Sequence, residues 1–283
     1  STLQERTSKQ VTSLGEKIKL LRTEKGLSPG RLAKLSGVSR PYLWQLERTP
    51  VMIYQPPLHP RYDGYPTEEI HRQICERKSF LGNRLVILGH HYQRDDIIQF
   101  VDYTGDSFKL SQLAAAQRDA EFVVFCGVHF MAESADILTD ECVKVILPDL
   151  SAGCSMADMA AIEQVEEAWE SLSARTQATV VPITYVNSSA AVKAFCGRHD
   201  GACCTSSNAR SVLEWALEGE PPGAQSGRRK VLFLPDQHLG RNTAASFGLN
   251  VNTKTCVYDP RRLARGEPLG GATPTQLLRS EVI

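Results

Sequence analysis

Short apolar runs and longer amphipathic stretches alternate along most of this chain. Leu85 to Leu88, Phe122 to Phe125, Val143 to Leu147, Val180 to Tyr185 and Val231 to Leu234 are β-branched, aliphatic or aromatic runs of strand length. Between them, Ser111 to Gln117, Met156 to Leu172 and Ser211 to Leu217 carry apolar residues at helical spacing. Such alternation predicts an α/β fold with helices layered on parallel sheets. The first fifty residues differ. Leu14, Ile18, Leu21 and Leu27, then Leu32, Leu35, Val38, Leu43 and Leu46, form three short helical blocks, with Ser28-Pro29 at one helix start and a Ser36-Gly37-Val38 turn. They predict a small all-α head over residues 1–52, followed by a linker from Pro50 to Pro60 that contains Pro56-Pro57.

In parallel sheets ligands bind beyond the carboxyl ends of the strands, so those ends matter most. Leu85 to Leu88 leads into Gly89-His90-His91-Tyr92-Gln93, and Phe122 to Phe125 into Cys126-Gly127-Val128-His129. Val143 to Leu147 leads to Cys154, Val180 to Tyr185 to Asn187-Ser188-Ser189, and Val231 to Leu234 to Pro235-Asp236-Gln237-His238. A shorter segment ends at Cys204-Thr205-Ser206-Ser207-Asn208.

Hydroxyls and free N–H groups in Thr205-Ser206-Ser207-Asn208 and in Gly105-Asp106-Ser107 suit either a phosphate or carboxylate cradle or simple helix capping. His90, His91 and Tyr92 suit acid/base work or plain structural hydrogen bonding. His129 and Glu133, four residues apart, offer metal ligands without a second histidine nearby. Ser155 with Asp158 three residues on has the form of a capping box, which predicts Cys154 just outside a helix N-terminus where a thiolate is favoured.

Composition narrows the class. Apolar residues make up 42% and charged residues 23% of 283, as in globular proteins large enough for several cores. The zero net charge hides an asymmetry: residues 1–52 hold ten Lys/Arg against four Asp/Glu, a balance of +6, and the remainder is acidic by the same amount. No apolar run approaches the roughly 18 residues of a membrane helix, and no leader opens the chain. A soluble cytoplasmic protein is expected. There reduced thiols are the rule for the eight cysteines, so metal or cluster chemistry is the option of interest. No C-x-x-C pair occurs, so cluster ligands would be far apart in sequence. The adjacent Cys203 and Cys204 suit a buried structural role better than a strained mutual disulfide.

The run from Leu20-Leu21-Arg22 through Leu27-Ser28-Pro29-Gly30-Arg31-Leu32-Ala33 to Gln45-Leu46-Glu47-Arg48 resembles the helix-turn-helix of phage-repressor-type regulators. That resemblance would present Ser39, Arg40, Tyr42 and Gln45 to DNA. A helical appendage that only packs or dimerises fits the same residues.

Downstream, Leu88-Gly89-His90-His91-Tyr92-Gln93-Arg94-Asp95, Gly105-Asp106-Ser107, Phe125-Cys126-Gly127-Val128-His129-Phe130-Met131-Ala132-Glu133 and Pro148-Asp149-Leu150-Ser151-Ala152-Gly153-Cys154-Ser155 resemble quinolinate synthase. So do Tyr185-Val186-Asn187, Cys204-Thr205-Ser206-Ser207-Asn208-Ala209 and Pro235-Asp236-Gln237-His238-Leu239-Gly240-Arg241-Asn242.

The resemblance implies an enzyme of NAD biosynthesis that condenses iminoaspartate with dihydroxyacetone phosphate, with L-aspartate oxidase supplying the iminoaspartate. It implies a [4Fe–4S] cluster on three cysteines, Cys154 being the first. His90, Tyr92, Tyr185 and Asn187 would be catalytic; Ser107 and Ser206, with Asp106 and Thr205, would bind substrate.

Three α/β/α domains are implied, of which residues 53–160 and 161–283 would be two. The third, and the other two cluster cysteines, have no counterpart in this sequence, so the stretch alone is expected to make no quinolinate. A rival reading is a DNA-binding regulator whose synthase-like part senses a phosphorylated or dicarboxylate metabolite.

Overall fold

The computed structural model describes residues 59–218 and 229–283, together with Arg22 and Lys25. The helix-turn-helix expected over residues 1–52, with Ser39, Arg40, Tyr42 and Gln45, lies outside the described residues. Two compact units divide the chain, Ser1–Asp63 and Gly64–Ile283, and the α/β architecture belongs to the second. Among the described residues no helix is long and apolar enough to cross a membrane.

The first sheet has the order β2-β1-β3-β4, with β1 Leu85–His90, β2 Tyr103–Gly105, β3 Phe122–Cys126 and β4 Lys144–Ile146, all parallel. The second has the order β6-β5-β7, with β5 Thr179–Tyr185, β6 Ala202–Cys204 and β7 Arg229–Leu234, again all parallel. The five predicted strands are all present, each within two residues at its ends.

Helices α1 Thr67–Leu81, α2 Asp95–Ile98, α3 Ser107–Ala116, α4 His129–Leu138, α5 Ile162–Ser173, α6 Ala190–Arg198, α7 Ala209–Glu218 and α8 Gln237–Phe247 separate or flank the strands. Short helical turns, among them Pro274–Arg279, complete the C-terminal part.

The second sheet repeats the first. β5 takes the central place of β1, β6 the edge place of β2 and β7 the place of β3. At the C-terminal end Val282 pairs in parallel with Val231, and the Val231 and Phe233 N–H groups donate to the Glu281 and Ile283 carbonyls at 2.8 and 2.9 Å. Residues 281–283 thus lie beside β7 as β4 lies beside β3.

Alternation builds the cores. On β5 and β7, Val180, Leu232 and Leu234 face one layer with Val192, Phe195 and Leu172. Val181, Ile183, Val231 and Phe233 face the other layer with Leu213, Ala216 and Ala244. Both faces are covered, as an all-parallel sheet requires. In the first sheet Val86, Leu88, Val123 and Phe125 pack with Leu110, Phe130 and Met131. Each such side chain stabilises the fold by roughly 1.5–3 kcal/mol when fully buried.

Three local expectations are corrected. The helix expected to start at Met156 is a single 3-10 turn, Ala157–Met159, and α5 begins only at Ile162 with no side-chain cap from Ser155. Cys154 therefore gains no helix dipole. The reason lies in packing: Ala157 is buried in the first sheet's core and Ala160 in the second's, and the chain must turn between them.

Gly105-Asp106-Ser107 is more than a turn. Gly105 ends a strand, Asp106 caps α3 by accepting the Lys109 N–H at 2.9 Å, and the helix starts four residues before the predicted Ser111. Of the adjacent cysteines Cys204 is buried and Cys203 exposed, because successive strand residues point to opposite faces.

Candidate functional site

The register of the first sheet sets His90 beside Gly105, so the ends of β1 and β2 share one rim. The segment leading into β2 can press on this part of β1 because Gly89 lacks a side chain: a Cβ there would stand 2.7 Å from Val101. His90 is 4% exposed, and its buried Nδ1 has no hydrogen-bond partner among the described residues. Burial first, and the neighbouring His91 second, lower its pKa to about 4, against a smaller opposing pull from Asp106.

The imidazole lies 3.7 Å, centroid to centroid, from the Tyr92 ring. His91 turns outward, its Nδ1 at 3.2 Å from the Gly105 carbonyl. Ser107 is buried at the first turn of α3, where its carbonyl accepts the Ser111 hydroxyl at 3.0 Å. Asp106 stands next to it as the helix cap.

The second sheet presents a matching rim. β5 ends at Tyr185, paired in register with Cys204 at the end of β6. The Tyr185 phenol is raised above its ordinary pKa by burial and by nearby Cys204, Cys154 and Asp236, while a hydrogen bond with Ser206 pulls the other way. Asn187 follows, half-buried, and the buried Ser188 donates its hydroxyl to the Tyr185 carbonyl at 2.8 Å. Thr205 donates its N–H to Asn208 Oδ1 at 2.7 Å, which tightens the turn carrying Ser206. Asp106-Ser107 after β2 and Thr205-Ser206 after β6 occupy equivalent places in the repeat.

Cys154 stands between the rims. Its thiol is free and half-buried, packed against the first core. Partial desolvation raises the Tyr92 phenol, and the Cys154 sulfur raises it further. The same sulfur acts on Tyr185 from the other sheet. Buried thiols elsewhere are held protonated: burial pushes Cys196 and Cys204 up to about 12 and also raises Cys126 and Cys256. Among the described residues no three His, Cys, Asp or Glu side chains are grouped to hold a metal ion. Of the pair His129 and Glu133, the Glu133 carboxylate has a structural use: its Oε2 accepts the Ala190 N–H at 2.8 Å.

The family profile of the quinolinate synthetase A protein matches residues 72–261. The chain belongs to the quinolinate synthetase A family. Within it, a quinolinate synthase from a Nocardioides species is 61% identical over 208 residues, 73% of this chain and 51% of that protein. One from Halalkalibacterium halodurans is 54% identical over 203 residues, 71% of this chain and 53% of the relative. One from Corynebacterium glutamicum is 51% identical over 223 residues, 78% and 53% respectively. The chain spans about half the length of the curated relatives it matches. Every strand end from His90 to Asp236 falls inside the family match.

Asp236, which the sequence already puts at a strand end, is buried, caps α8 through the His238 N–H at 2.5 Å, and influences Tyr185. One feature of the site carried little sequence signal. Lys193 sits a full helical turn past the β5 rim, yet its Nζ donates to the Ser188 carbonyl at 2.5 Å. Only the folded chain puts it beside the rim.

Proposed function

We propose that this chain carries the substrate-gripping rims and one cluster ligand of a quinolinate synthase. The reaction joins iminoaspartate to dihydroxyacetone phosphate and releases phosphate and water, with L-aspartate oxidase as the upstream supplier. The observation that carries the reading is that Tyr92 and Tyr185, at the rims of different sheets, both lie within electrostatic reach of the Cys154 sulfur.

Each residue has a role that its surroundings support. His90, neutral near pH 7 with an unpartnered Nδ1, accepts a proton or a hydrogen bond from substrate. Tyr92 hands protons to and from the same region. Tyr185 and Asn187 orient the condensing substrates, and holding two reactants in register is itself a large part of such catalysis. Ser107 and Ser206, backed by Asp106 and Thr205, hold the carboxylate and phosphate groups with hydroxyls and N–H donors. Cys154 supplies one thiolate to a [4Fe–4S] cluster whose further ligands lie outside the described residues. That cluster, when bound, offers a Lewis-acidic iron to substrate oxygens.

The proposal includes the domain division at residues 53–160 and 161–283, a third α/β domain as in the family's architecture, and a cytoplasmic setting. The +6 balance of residues 1–52 supports DNA as a partner of the head, through Ser39, Arg40, Tyr42 and Gln45. The deciding experiment is anaerobic reconstitution of the whole natural protein with iron and sulfide, with and without Cys154→Ser. The expected result is quinolinate and cluster absorbance from the natural protein and neither from the variant. A Cys154→Ser protein with a full cluster and undiminished quinolinate formation would overturn the reading.

A further inference from the structure

Two loops from different sheets must keep a fixed spacing if Tyr92, Cys154 and Tyr185 are to meet one substrate. Helix α4 is the element bonded to both. At its first residue the His129 N–H donates to the Ala152 carbonyl at 3.1 Å, two positions before Cys154. One turn later Glu133 reaches the other way, and its Oε2 accepts the Ala190 N–H at 2.8 Å. Ala190 is the first residue of α6, three positions after Asn187.

The Ala190 N–H is one of the donors that a helix start leaves unpaired, and a carboxylate there is favoured by both hydrogen bond and dipole. Ser189 serves the Val192 N–H of the same turn at 3.4 Å. Lys193 completes the junction: its Nζ donates to the Ser188 carbonyl and lies 5.6 Å from the centroid of the Phe130 ring of α4.

We infer that Glu133 is a positioning residue: through Ala190 it holds the Tyr185–Asn187 loop at a set distance from the Cys154 loop. This rests on the proposed reaction only for its activity readout. Glu133 touches no substrate in this role, so its acceptor oxygen matters more than its charge, which adds only the smaller attraction to the helix dipole.

The test compares Glu133→Ala and Glu133→Gln in the whole natural protein after cluster reconstitution. Small misplacements far from the chemistry cost about 10²-fold, so the alanine variant is expected to lose kcat by that order, with cluster absorbance intact. The glutamine variant, which keeps an acceptor, is expected to recover to within a few-fold. Hydrogen exchange at Ala190 should accelerate in the alanine variant alone. An alanine variant with unchanged kcat overturns the inference, as does a glutamine variant equally impaired or a loss that follows cluster loss. If the natural protein itself makes no quinolinate, the proposed reaction fails instead, and unaltered Ala190 exchange in Glu133→Ala then overturns the positioning role separately.

Discussion

The imidazole of His90 lies against the Tyr92 phenol ring with 3.7 Å between centroids, and its Nδ1 is buried without a partner. Charging His90 therefore costs desolvation that the unfolded chain does not meet. With a folded pKa of about 4 against an ordinary 6.5, the unfolded state binds the extra proton first as pH falls. Stability is full above pH 6.5 and declines as pH drops toward 4. Urea midpoints across this range should show that slope, and His90→Gln should flatten it; an unchanged slope in the variant would refute the assignment.

Asp106 has two effects that can be separated. Its carboxylate caps α3 and raises the His90 pKa. Asp106→Ala should cost about 1 kcal/mol through the lost cap. Asp106→Asn keeps the cap and removes the charge, so it should leave the urea midpoint near neutral pH unchanged while the imidazole resonance of His90 titrates at still lower pH. A titration that stays put would argue against electrostatic contact between the two.

Ser206 lowers the Tyr185 pKa against several influences that raise it. Ser206→Ala should move the Tyr185 phenol further upward, visible as a later phenolate absorbance in spectrophotometric titration of the variant against Ser206→Ala/Tyr185→Phe. In a quinolinate synthase the same change should also weaken substrate binding, read as a raised KM. Retention of the original phenol titration would show that the hydroxyl does not reach Tyr185 in solution.

Lys230 is buried, and its Nζ donates to the Leu277 carbonyl at 2.7 Å and to the Ser280 carbonyl at the end of the last helical turn. Lys230→Met keeps the volume but leaves buried acceptors unserved, at a cost of roughly 1–3 kcal/mol for each. The expected outcome is a lower denaturation midpoint with Cys154 alkylation at its original rate, because the site lies at the other end of β7. A midpoint within error of the natural protein would mean that water replaces the ammonium.

Much of this could be read from residues alone, for identifiable reasons. Val180 to Tyr185 and Val231 to Leu234 are central strands covered on both faces, so they appear as unbroken apolar runs. The edge strand Tyr103–Gly105 is three residues long and barely buried, and so left no pattern. The site residues stood out because they follow strands directly. The sequence puts Cys154 just outside a helix N-terminus, yet no α-helix starts directly behind it, and the chain there passes from one core to the next. Such a passage has no local sequence signature, since Ala157 and Ala160 look like any helical alanines.

That passage is a mechanical junction. Ala157 is anchored in the first sheet's core and Ala160 in the second's, only three positions apart. Any rocking of one layer against the other must be absorbed between them, and the Cys154 sulfur sits just before it, on the first-sheet side, within electrostatic reach of Tyr185 of the second. A spectroscopic tag attached to Cys154 would therefore sense relative motion of the two halves.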